Sequence, residues 1–163
     1  MTFKGNSLKM DIERGRKGMC GCCFIGHRAF SAEIKKPLVS VLEELIKEKK
    51  VTRFYVGTQG KFDRVVYDVL CELEKQYSIQ IFVVLAYLNR DGDVYYDGEK
   101  TIYPDELAKT PLRYAIRKRN SFMIDKADYL VAYINTPYTN AYGNVLEAIR
   151  KKKKIINLGS FQI

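Results

Sequence analysis

The sequence lacks the long hydrophobic run that a membrane-spanning helix requires. Its longest apolar stretch, residues 79–88, is interrupted by Gln80 and falls far short of the roughly 20 residues that cross a bilayer. Residues 1–18 are basic but have no apolar core of the kind found in secretory signals. We therefore expect a cytoplasmic protein without a membrane partner. The 163 residues suit a single domain, 1–163, preceded by a basic amino-terminal extension over 1–18.

Metal-binding side chains are also scarce. The chain has one histidine, His27, and four cysteines, three of which crowd into one short apolar segment as Cys20, Cys22 and Cys23. A structural zinc site needs four suitably spaced ligands, and His27 falls past the end of that segment. We expect no metal and no cofactor, and we interpret the cysteines as small reduced core residues.

Positive charge, by contrast, is in excess, with a formal net charge of +9. Much of it falls in residues 47–50, 113–119 and 150–154, which we place at or near the carboxyl ends of predicted helices, where cations suit the helix dipole. This distribution favours a solvated or phosphate-attracting surface over nucleic-acid binding. A nucleic-acid-binding module, driven by the lysines of 151–154, stays open as a third functional hypothesis.

Predicted strands and helices alternate along the chain. The strands are expected over 19–25, 52–56, 79–88, 129–134 and 154–158, and the helices over 31–49, 62–77, 111–126 and 142–151. Between them, residues 89–110 predict a surface excursion or a small hairpin. This alternation indicates an α/β fold, a Rossmann-like three-layer sandwich with a mainly parallel sheet of about five strands and helices on both faces.

Ligands of such sheets bind at the carboxyl ends of the strands, which directs attention to the loops 26–30, 57–63, 89–110 and 135–144. In the first of these, Gly26, His27 and Arg28 directly follow a strand. A glycine lets a ligand approach the backbone, and the arginine fork suits phosphate. The alternative interpretation is a plain surface turn with an exposed arginine.

The second loop contains Gly57, Thr58 and Gly60 and leads into a helix that carries Asp63. Backbone N–H groups at such a helix start can hold an anion. Equally, Asp63 can serve only to cap the helix or to favour its dipole. Both interpretations stay open on the sequence.

Two later helices bear further candidates. Arg119 and Met123 are spaced four residues apart and therefore share a helix face, with Asn120 beside them. The final helix opens near Gly143 and Asn144 and carries Glu147 one turn in. Glycine there permits close approach of an anion, and the glutamate could contact a ribose hydroxyl or act as an acid or base. Solvated helix faces are the alternatives.

Taken together, four segments resemble the SLOG superfamily, a Rossmann-like group that contains the lonely-guy cytokinin-activating phosphoribohydrolases, sometimes misannotated as lysine decarboxylases. The nearer match is the bacterial YpsA/DUF1273 branch. The resemblance covers nearly the whole chain, from Cys20 to Leu158. It depends on Gly26-His27-Arg28, on the loop from Gly57 to Asp63, on Arg119-Asn120-Ser121-Phe122-Met123 before Ala127-Asp128, and on Gly143-Asn144-Val145-Leu146-Glu147.

This resemblance implies roles for some residues. In the phosphoribohydrolases the arginine matching Arg119 anchors a nucleoside monophosphate, and the residues matching Gly143 and Glu147 serve phosphate approach and N-glycosidic chemistry. Here Asn140-Ala141 replace the family's double glycine and Asn144 replaces its threonine. Other SLOG domains sense nucleotide-derived signals, and related proteins often form dimers. The leading hypothesis is therefore binding of a nucleotide or a nucleotide derivative. The alternative is cleavage of a nucleoside monophosphate by a phosphoribohydrolase-type enzyme.

Overall fold

A computed structural model describes residues 19–28, 32–88 and 98–163. The predicted extension over 1–18 and much of the excursion after Leu88 lie outside these ranges. The strands are β1 (Cys20–Gly26), β2 (Val51–Val56), β3 (Gln80–Val84), β4 (Thr101–Ile102), β5 (Tyr129–Tyr133) and β6 (Lys154–Asn157), and the α-helices of the described part are α1 (Lys35–Lys47), α2 (Gly60–Glu74), α3 (Ala115–Lys126) and α4 (Asn140–Arg150).

All six strands join one parallel sheet, in the order β4-β3-β2-β1-β5-β6. The chain first steps outward from β1 to β4 and then returns to lay β5 along the other side of β1. The strand order therefore reverses between β1 and β5. In open parallel sheets this reversal leaves a crevice outside the carboxyl ends of the two strands.

The α/β sandwich is confirmed, and its sheet has six strands in the described residues where the sequence predicts about five. The additional strand, β4, contains only Thr101 and Ile102 and pairs parallel with β3 through Val83 and Val84. It lies in the segment that the sequence predicts as a surface excursion or a small hairpin. Two residues are too few for an alternating pattern, so periodicity could not reveal this strand.

Helices cover both faces of the sheet. Along β1, Cys22 and Phe24 point into a core shared with α1 and α2, whereas Cys23 and Ile25 point into a core shared with α3 and α4. Successive strand residues face opposite sides, so a strand buried on both faces reads as a continuous apolar run. Burial raises the pKa of Cys23 to about 12, as expected of a core thiol. No helix in the described ranges has both the length and the apolar character to cross a membrane.

Asn157, the last residue of β6, holds the loop after β5 through hydrogen bonds of its side-chain amide. Its side-chain Oδ1 accepts hydrogen bonds from the backbone N–H groups of Ile134 and Gly159, at 2.9 and 3.0 Å. Its Nδ2 donates to the backbone carbonyls of Ile134 and Phe161, at 3.0 and 2.6 Å. One amide therefore fixes the point where β5 leaves the sheet.

We expect Asn157→Ala to lower the free energy of unfolding by about 2 kcal/mol, because it leaves partly buried backbone groups without partners. Urea denaturation of the variant and the wild type measures this difference. Asn140→Ala, which changes an exposed asparagine on α4, is the matched control and should leave stability within about 0.5 kcal/mol. Equal stability of the wild type and Asn157→Ala would contradict the assigned role.

Candidate functional site

A cleft of about 890 Å³ opens at the reversal between β1 and β5. It lies between the loops that follow these strands and the amino-terminal parts of α3 and α4. Its walls are formed by Phe24, Ile25, Gly26, His27, Arg28, Gln59, Asp63, Arg113, Tyr114, Ile116, Arg117, Arg119, Asn120, Thr139, Asn140, Ala141, Gly143, Asn144, Glu147 and Arg150.

His27 joins the two strand ends that flank the cleft. Its backbone N–H donates to the carbonyl of Tyr133 at 3.3 Å, and its ring Nε2 accepts from the backbone N–H of Asn135 at 2.9 Å. An accepting Nε2 means that the imidazole is neutral and carries its proton on Nδ1. Burial lowers the pKa of His27 below its usual 6.5, which favours this neutral form.

Arg119 lies beneath the cleft and is only 2% exposed. Its Nε donates to the Asn120 side-chain oxygen at 2.8 Å, and its Nη1 donates to the Val84 carbonyl at the end of β3, at 3.1 Å. The guanidinium is therefore turned toward the sheet and is largely occupied by protein groups. Met123, one turn later, is 1% exposed, so the shared face of this helix is buried and is not a solvated basic face.

Asp63 balances the charge of Arg119. The carboxylate is buried, and its Oδ2 accepts from the backbone N–H of Gln59 at 2.9 Å. Burial raises the pKa of Asp63 to about 6, while the nearby Arg119 charge and the Gln59 N–H act in the opposite direction. At neutral pH the group is ionised, so two opposite charges are buried together.

The glycines of the β2 loop make room for this pair. A Cβ on Gly57 would lie 2.5 Å from Nη1 of Arg119 and 2.7 Å from Oδ2 of Asp63. Gly60 has a φ of +90°, and a Cβ on it would lie 3.2 Å from the Cα of Arg28. Gly57, Thr58 and Gly60 do not line the cleft. Gly57 is buried against Arg119 and Asp63 and is therefore a packing position, whereas Gly60 is exposed.

The amino end of α4 presents unpartnered polar groups to the cleft. Thr139 caps the helix, with its hydroxyl accepting from the Tyr142 N–H at 3.2 Å. The N–H groups of Asn140 and Ala141 have no partner within the described residues. Asn144 is only 9% exposed, and its amide likewise makes no hydrogen bond to any residue that the structure describes. A buried, unpartnered amide beside free N–H groups is a donor set for an anion.

Glu147 lines the same cleft but is held by neighbouring side chains. Its Oε2 accepts from the hydroxyl of Ser121 at 3.0 Å, and its Oε1 accepts from Nζ of Lys151 at 2.8 Å. Lys151 also donates to Asp125 at 2.6 Å. These bonds join α3 to α4, and each carboxylate oxygen of Glu147 accepts one of them.

Four exposed arginines surround the cleft: Arg28, Arg113, Arg117 and Arg150. None of them forms an ion pair with a residue of the described ranges. The expectation that residues 113–119 lie near the carboxyl end of a helix is wrong, because α3 begins at Ala115 and these arginines stand at its amino end. Positive charges at the amino end of a helix oppose its dipole, so the dipole does not explain the positions of Arg113 and Arg117.

Most of the sequence-predicted site residues come together in this cleft, and Gly57, Thr58 and Gly60 are the exceptions. The nine that meet are Gly26, His27, Arg28, Asp63, Arg119, Asn120, Gly143, Asn144 and Glu147. Sequence reasoning pointed to the loops that contain Gln59 and Thr139 but gave these residues no role, and it did not place Arg113, Tyr114 or Arg150 in the cleft. A threonine just before a helix is a recognisable cap signal and could have located the helix start at Asn140.

No model of a known protein family matches this chain, and no curated protein shows significant similarity to it. The resemblance to the SLOG superfamily therefore stays a prediction that depends on the residues quoted above.

Replacing Gly57 should destabilise the domain, whereas replacing Gly143 should not. Gly57→Ala places a methyl group against the buried charge pair, and we expect a loss of about 1–3 kcal/mol in unfolding free energy. A Cβ on Gly143 meets nothing within 4 Å. Gly143→Ala should therefore raise stability by about 0.5–1 kcal/mol, because alanine favours a helix. Urea unfolding of both variants measures this contrast, and equal effects would contradict the packing role of Gly57.

Acidification should weaken the bond between His27 and Asn135. The folded-state pKa of His27 lies below the unfolded value of 6.5, so the unfolded state binds more protons between the two pKa values. The stability that His27 contributes is therefore fully present above pH 6.5 and is lost as the pH falls through the folded pKa.

The measurement is the difference in unfolding free energy between wild type and His27→Gln as a function of pH. Titration of Asp63 has the opposite sign, but it is common to both proteins and cancels in the difference. The single histidine also allows a direct NMR titration. A folded-state pKa above 6.5 would show that this account of His27 is wrong.

Proposed function

We propose that the domain binds a nucleotide or a nucleotide-derived ligand, with a phosphate group of the ligand held in the cleft between β1 and β5. The observation that carries the proposal is the meeting of unpartnered donors at this point. The N–H groups of Asn140 and Ala141, the buried amide of Asn144 and the exposed guanidinium of Arg28 share one cleft.

Each of these groups suits phosphate. A helix amino terminus carries about half a positive charge, and its free N–H groups point outward along the helix axis. Arginine adds a planar fork of donors that matches phosphate oxygens. Gly143, on the exposed side of α4, has open space where a side chain would stand, so the ligand can approach the backbone there.

An aromatic surface at the other wall suits the base of a nucleotide. Tyr114 lines the cleft and is 48% exposed, and the guanidinium carbon of Arg113 lies 4.7 Å from its ring centroid. A planar base can stack on a tyrosine ring or on an arginine plane. This wall and the donors of α4 together support a ligand with one aromatic and one anionic end.

The contacts of Glu147 and Arg119 favour binding over cleavage. A glutamate that stabilises an opening glycosidic bond needs an oxygen directed at the substrate, yet both oxygens of Glu147 accept hydrogen bonds from neighbouring side chains. Arg119 is buried and bonded to protein groups. Incubation with nucleoside monophosphates, followed by chromatography for free base, tests the alternative, with Glu147→Gln as its control.

The homodimer implied by the resemblance also stays a prediction.

Binding should appear as a ligand-dependent rise in melting temperature, because a ligand that prefers the folded state stabilises it. We expect a subset of a nucleotide panel to raise the melting temperature at millimolar concentration. In calorimetry, Arg28→Gln and Asn144→Leu should each weaken binding of that subset about tenfold, the equivalent of about 1.4 kcal/mol for a lost charge-assisted or buried hydrogen bond.

Arg64→Gln is the matched control, because Arg64 is exposed on α2, pairs with Asp68 and does not line the cleft. It removes the same charge but makes no contact with a ligand in the cleft, so the affinity should stay within about twofold. The absence of any nucleotide-dependent shift, or equal losses in Arg28→Gln and Arg64→Gln, would overturn the proposal.

A further inference from the structure

The exposed arginines stand at different levels along the cleft. Ser121 bonds to Glu147 at 3.0 Å and Asp125 bonds to Lys151 at 2.6 Å, so equal steps of four residues match on α3 and α4. The two helices therefore run side by side in the same direction. Arg117, one turn before Ser121, is thus level with Gly143, one turn before Glu147.

Arg28, Arg113 and Arg150 extend the line of exposed arginines along the cleft in both directions. Arg113 belongs to the short turn Leu112–Tyr114 that precedes α3, and Arg28 follows His27 at the strand end. Arg150 ends α4 and stands ten residues after Asn140, a span of about 15 Å at the rise of an α-helix. Because all these residues line one cleft, positive charge follows the cleft along much of the length of α4.

This charge has no acidic counterpart within the described residues. The carboxylates that line the cleft are Asp63, which is buried with Arg119, and Glu147, which is bonded to Lys151. Four arginines therefore stay unbalanced, whereas a single phosphate monoester brings only about −1.5 to −2 charges at neutral pH. One phosphate at the amino end of α4 would leave the charge further along the cleft, beginning with Arg117, uncompensated.

We propose that the ligand carries at least two phosphate groups, as in a nucleoside diphosphate or triphosphate or a pyrophosphate-linked dinucleotide. The inference rests on the proposed function and makes its ligand class more specific. One phosphate lies at the amino end of α4, near Arg28 and Asn144. The next extends along the helix toward Arg117, which is level with Gly143.

Calorimetric titration at fixed ionic strength tests this inference. The probes are the 5′-mono-, di- and triphosphates of the nucleoside that gives the largest thermal shift, together with inorganic phosphate and tripolyphosphate. We expect the Kd to fall at least tenfold from the monophosphate to the diphosphate. Arg117→Gln should weaken diphosphate binding at least fivefold and leave monophosphate binding within twofold, while Arg64→Gln should change neither.

The outcomes separate the two proposals. Monophosphate binding as tight as diphosphate binding, or an effect of Arg64→Gln equal to that of Arg117→Gln, overturns this inference and leaves the proposed function intact. Tripolyphosphate binding as tight as the nucleotide triphosphate supports the inference but contradicts recognition of a nucleoside. If neither the nucleotides nor tripolyphosphate binds, both proposals fail.

Discussion

The cleft is built over one buried guanidinium, that of Arg119. It links α3 to the end of β3 through the Val84 carbonyl, and it faces Asp63 across Gly57, whose missing side chain leaves space for both groups. A buried charge is costly unless it is paired and hydrogen-bonded, and here it has an opposite charge nearby and bonds to Asn120 and Val84. Removal of either charge would leave the other uncompensated beneath the site. Through its bond to Val84, Arg119 ties α3 to the sheet just below the arginines at the amino end of that helix.

The topology then determines where the hydrogen-bond donors without partners lie. Because the strand order reverses between β1 and β5, the loops after these strands diverge and leave the amino end of α4 open between them. His27 and Asn157 fix the strand ends, so the donors of α4 stand in a defined place before any ligand arrives. Beneath the cleft the charge of Arg119 has the opposite charge of Asp63 nearby, whereas the exposed arginines that line the cleft form no ion pair with a described residue. This contrast is the physical basis for proposing an anionic ligand.

The sandwich and the candidate site were predicted from different features of the sequence. Apolar runs such as that of β1 and the helical spacing of α2 predict the sandwich, because both elements bury their side chains regularly. A glycine and an arginine directly after a strand predict that His27 and Arg28 lie at the edge of the sheet where ligands bind. The sequence could not show that Gly57 serves packing, since this depends on Arg119, 62 residues later in the chain. Nor could it show that Arg150 lines the cleft, because the pairing of α3 with α4 determines its position.

The central claim is that an anion binds at the amino end of α4, and backbone NMR tests it most directly. Titration of ¹⁵N-labelled protein with pyrophosphate should shift the amide signals of Asn140 and Ala141 together, with one common affinity, because a bound anion polarises the free N–H groups that point at it. Shifts confined to the lysines of 151–154, or uniform weak shifts over the whole basic surface, would contradict the account.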